Sequence, residues 1–240
     1  MKERMDNWDL RTFRNDLSIF IAKIEEYEIP GEYKDELDSV LEQINTKGII
    51  DYNLKDLCLH VSGLKGSLPV GVNHYQIFLN IFLKFKTNYT INTDPLFKYK
   101  LEINIHGHPN KSYSGKYFKS SWHLDQHTVS QTDKYTHPSY HFQFGGNKIK
   151  TLSSGDLLML GTPRIPHPPM DIFLGFHFIM ANYFDNSKHS FVKDLLNDPV
   201  YETIIKRAQD RLWTPYFNSY DSTVTHNDFK MSNVFPLYIN

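Results

Sequence analysis

Residues 74–86 (HYQIFLNIFLKFK) place Tyr75, Ile77, Leu79, Ile81, Leu83 and Phe85 at every second position. Strand side chains point alternately to two faces, so this run presents one wholly apolar face and reads as a strand that buries it. Residues 98–106 (KYKLEINIH) alternate in the same way. So do residues 139–145, where Tyr140, Phe142 and Phe144 stand opposite His141 and Gln143. Residues 118–128 read as a further strand, and Gly145-Gly146-Asn147 as a turn. Short strands are expected at 148–152 and 156–161. The long apolar run 171–184 (DIFLGFHFIMANYF) is expected to be a buried strand.

Helical spacing brackets this core. In 9–27, Leu10, Phe13, Leu17, Phe20, Ile21 and Ile24 recur at three- and four-residue intervals, up to the break at Pro30-Gly31. In 32–46, Tyr33, Leu37, Val40, Leu41 and Ile44 share a face, and Gly48 lies just past the end. Asp198-Pro199 is a capping pair before Ile204, Ile205, Ala208, Leu212 and Trp213. The expected class is therefore α+β: a mainly antiparallel β core, sandwich or open barrel, with an N-terminal helical pair and C-terminal helices. The 240 residues read as a single domain with a helical segment over 1–50, a β core over 70–185, and a helical segment and tail over 186–240.

Charge narrows the partners. Twenty-six Lys+Arg against 27 Asp+Glu leave too little positive excess for a chain that grips nucleic acid through its phosphates. The single cysteine, Cys58, cannot form an internal disulfide, which suits a reducing compartment. Flanked by leucines, it reads as a small buried hydrophobe. The polar N-terminus lacks the apolar run of a secretory signal, and no stretch reaches membrane-spanning length. A cytoplasmic protein without a membrane partner is expected.

The chemistry concentrates in Trp122-His123-Leu124-Asp125-Gln126-His127. As a strand, it turns His123, Asp125 and His127 to one face. Imidazole and carboxylate are the ligands that hold zinc or non-haem iron. His106, His108, His137, His141 and His167 lie nearby in sequence, and His108, His137 and His167 each precede a proline that stiffens the backbone. Arg164, between Pro163 and Pro166, could clamp a carboxylate or phosphate. Without a metal, the same residues make a polar network, with His141 and Gln143 reaching across strands to Asp125 and His123.

A His-x-Asp pair followed by Gly155-Asp156, a short strand and Pro166-His167-Pro168 resembles the double-stranded β-helix metal proteins, cupins and iron(II)/2-oxoglutarate oxygenases, over about residues 120–180. The resemblance implies a metal triad of His123, Asp125 and His167. It departs from the oxygenases in having His177, and no Arg or Lys between Arg164 and Lys188, where a basic partner for the cosubstrate is expected.

Three functions remain open at this level. The first is a metal-dependent enzyme, oxidising or hydrolysing a small-molecule or peptide substrate. It would use iron or zinc on His123, Asp125 and His167, with His127, His141 and Arg164 as catalytic groups. The second is a non-catalytic component of a multiprotein system that binds a protein partner through its His/Pro-rich face. The third is a fold like that of ubiquitin-conjugating enzymes without a catalytic cysteine.

Overall fold

The computed structural model describes residues 9–64, 71–87, 89, 92–109, 111, 113, 117–127, 137–146, 149–150, 152, 165–220 and 234–235. Helix α1 (Leu10–Glu26) starts at Asp9, whose side chain accepts from the Thr12 N–H, and buries Phe13, Leu17, Phe20, Ile21 and Ile24. Strand β1 (Gly31–Glu32) leads into α2 (Lys34–Lys47). That helix ends at Gly48, which takes the left-handed conformation at φ 66° and donates its N–H to Ile44.

The sheet follows as β2 (Asp51–Ser62), β3 (His74–Phe85), β4 (Leu96–His108), β5 (Phe118–Gln126), β6 (Tyr140–Phe144) and β7 (Ile165–Pro166). These strands and β1 form one antiparallel sheet in strictly sequential order, β1 to β7. The helices are its second layer, so the β core is a single open meander. Strand β2 contains a bulge between Leu54 and Leu57, with Asp56 at φ 52° and its N–H bonded to Asn80 at 3.0 Å. The bulge shifts the inward set from Tyr52 and Leu54 to Leu57, Leu59 and Val61.

Residues 171–184 are not a strand. They form α3 (Ile172–Tyr183), capped by Asp171, which accepts from the Phe173 and Leu174 N–H groups at 3.1 Å. The helix is buried nearly all round, and for that reason its sequence shows no amphipathic stripe. One side meets the sheet at Gly175, where an added Cβ would lie 3.2 Å from Leu101 and 3.4 Å from Ile81 and Leu79. The other side meets α1 through Phe13, Phe20, Phe173 and Phe176. Helices α4 (Ser190–Leu196) and α5 (Pro199–Asn218) complete the layer, α5 capped by Asp198. Arg211 of α5 is wholly buried. It reaches Asp171 at 3.1 Å and Asp16 at 3.8 Å, above the rings of Phe13 and Phe173.

The strand expected at 148–152 is a turn at Ile149 and Lys150, with Ile149 donating back to Gly146. The strand expected at 156–161 lies outside the described residues. Among the described residues, no helix is long and apolar enough to cross a membrane.

Candidate metal centre

The described helices pack on the apolar face of the sheet, and the polar half of each alternating strand points to the other face. The register sets its rows. Glu102 of β4 is opposite His123 of β5, which is opposite Gln143 of β6. One step along, Lys100 is opposite Asp125, which is opposite His141. His123, Asp125 and His141 therefore converge from two neighbouring strands, and one ligand atom from each lies within 4.8 Å of the others. His123 Nε2 is 3.5 Å from Asp125 Oδ2. The His123 and His141 rings meet edge to face at 6.3 Å.

Asp125 is held above the ordinary carboxylate range because burial outweighs the attraction of His123 and Lys100. Lys100 is turned partly to Glu102, at 2.9 Å. His141 is almost wholly buried, whereas His123 and Asp125 keep some access to solvent. Two further imidazoles extend the cluster. His137 packs edge to face on His141 at 5.3 Å, and His127 stacks on His137 at 4.1 Å. The backbone N–H of His127 bonds to Ser139, which draws the two chain segments together.

His167 is not part of this group. Pro166 pairs with His141 across β6–β7, and the His167 N–H bonds to Tyr140, so the chain places His167 with the inward-facing Tyr140. Its ring lies 5.7 Å from Phe142, and its Nδ1 is 2.6 Å from the carbonyl oxygen of Pro168. Burial lowers its pKa. The expected triad of His123, Asp125 and His167 is thus split across the sheet, and the histidine placed beside His123 and Asp125 is His141. His177 is also on the helix side, 3.2 Å from the Tyr201 hydroxyl. Arg164 lies outside the described residues.

Gly146 is a residue whose part in the site only the fold reveals. It has φ 83°, and a Cβ there would lie 3.2–3.3 Å from the His123 ring. The Gly145-Gly146 turn is thus the wall against which His123 rests. Its signal in the sequence is the glycine pair itself, read there as a turn alone.

A cleft of about 690 Å³ opens on the opposite, helix-side face, lined by Val72, Tyr75, Ile105, Trp122 and Tyr183 among others. It adjoins the cluster only through Trp122, the neighbour of His123 that points the other way.

No protein-family model, no curated protein and no solved structure matches this chain.

Proposed function

We propose that this chain is a metal-dependent enzyme, with His123, Asp125 and His141 holding a divalent iron or zinc ion that serves oxidation or hydrolysis of a small-molecule or peptide substrate. The observation that carries this reading is the convergence of two imidazoles and one carboxylate within 4.8 Å. Metal bonds of about 2 Å set neighbouring ligand atoms roughly 3 Å apart, so modest rotations of the partly exposed His123 and Asp125 complete the set. Two histidines and a carboxylate leave coordination positions free for water or substrate, the arrangement used by non-haem iron and by catalytic zinc. A bound ion would supply Lewis acidity and a water of lowered pKa. The protein's own share is geometric. Paired strands set the ligand spacing, Gly146 limits the swing of His123, and His137, edge-on to His141, and His127, stacked on His137, lead away from the site as proton carriers.

The test is elemental analysis of the purified 240-residue chain, with and without added iron(II) or zinc. The expected result is one equivalent fewer in both Asp125→Asn and His141→Gln than in the wild type. A folded wild-type chain that takes up neither metal overturns the proposal and leaves the cluster as a polar network on a recognition face.

A further inference from the structure

We propose a second metal site, for zinc, at the far edge of the same polar face, built from Glu32, Cys58 and His60. Glu32 of β1 is directly opposite Cys58 of β2, and His60 follows two residues on, so all three side chains share the face. One ligand atom from each lies within 4.8 Å of the others. The set unites thiol, imidazole and carboxylate, the three ligand types of zinc.

Unmet polar groups at this edge point the same way. The Nε2 of His60 is buried without a hydrogen-bond partner, with Glu32 Oε1 no nearer than 3.8 Å. Tyr113 packs its ring over His60 at 4.8 Å and holds a left-handed backbone, φ 52°, unusual for a tyrosine. The edge of His108 meets the same Tyr113 at 5.2 Å. His108 is 2% exposed, and neither of its ring nitrogens has a hydrogen-bond partner. Buried polar atoms are nearly always satisfied, so the unpaired His60 Nε2, beside Cys58 and Glu32, is a group that a ligand would satisfy. The Cys58 thiol accepts a long contact from the Gln76 amide, 3.9 Å. Three protein ligands would leave a fourth tetrahedral position for water.

This site is independent of the one proposed above. Strands β2 and β5 are three places apart in the sheet, roughly 14 Å at about 4.8 Å per strand. A two-metal clamp needs about 4 Å.

Cobalt(II) is the probe, because a thiolate bound to it gives a charge-transfer absorption in the near ultraviolet. Cys58 is the chain's one cysteine, so that absorption reports this site alone. It is expected to be displaced by zinc, to persist in His123→Ala and His141→Gln, and in His141→Gln to rise to one equivalent of cobalt. Cys58→Ser should abolish it. Glu32→Gln, which alters an exposed side chain and so spares the fold, and His60→Gln should each weaken cobalt binding at least tenfold. A folded wild type with no charge-transfer absorption at millimolar cobalt overturns the proposal, as does unchanged cobalt affinity in both Glu32→Gln and His60→Gln. Either failure leaves the His123 site untouched.

Discussion

Asp125 and His141 are direct cross-strand partners on the face of the sheet opposite α3. Directly opposed side chains in an antiparallel pair have Cβ atoms about 5 Å apart, close enough for one ion to bridge them. His141→Ala is therefore expected to lower metal affinity at least as much as His123→Ala, whereas His167→Ala leaves it within about twofold. Isothermal titration with zinc checks the ranking. Equal loss in His167→Ala would return the third place to His167.

Gly146→Ala tests the wall behind His123. The new Cβ meets the imidazole at 3.2 Å and sits on a left-handed backbone, so both the turn and the ring must shift. A cost on the order of 1 kcal/mol in stability is expected from the backbone alone. Zinc affinity at the His123 site should drop by about tenfold, while the cobalt absorption from Cys58 stays unchanged.

Arg211→Met should destabilise the fold strongly. The change strands Asp171 and weakens the surroundings of Asp16, both wholly buried carboxylates. Removing one partner of a buried pair costs about 3–5 kcal/mol, readable as a lower urea midpoint. Arg207→Ala is expected to cost less, because Arg207 is a quarter exposed and Asp16 keeps Arg211 nearby.

Asp94 supplies a pH signature. Burial pushes its carboxyl up to about 6, only partly offset by hydrogen bonds from the Leu96 N–H, the Tyr140 hydroxyl and the Gln126 amide and by the charge of Lys86. Between about pH 4 and pH 6, the folded chain keeps a proton that the unfolded chain releases, so this group's contribution falls as pH rises and stays low above 6. Asp94→Asn removes the titration. Relative to the wild type, it should gain on the order of 2–3 kcal/mol between pH 4 and pH 7, measured by paired urea curves. A constant difference across that window would refute the assignment.

Gly175→Val should separate α3 from the sheet. Even a Cβ is tight against Leu101, so the two further methyl groups overpack the contact at a cost of about 1–3 kcal/mol. Thermal denaturation reads it directly.

Much of the architecture is legible in the alternation. The runs around Ile77, Ile103 and Leu124 each turn a buried apolar row to the core, the run around Phe142 a partly buried one, and the structure pairs them as consecutive strands. The helical stripes of α1, α2 and α5 are equally plain. Strand β2 escapes the pattern because its bulge at Asp56 shifts the period by one residue. Segment 171–184 escapes because a helix buried over most of its circumference shows no clear polar stripe to mark its period, and a short buried apolar run looks the same for either structure.

The sequence alone determines that His123 and Asp125 share a face, since residues two apart on a strand must. It also sets His141 on the face opposite Phe142. Only the tertiary structure decides which histidine completes the group. Register brings His141 opposite Asp125, and the parity of β7 sends His167 to the helix side with Tyr140. Register depends on hydrogen bonds between strands distant in sequence, and a slip of one residue exchanges the faces of every side chain.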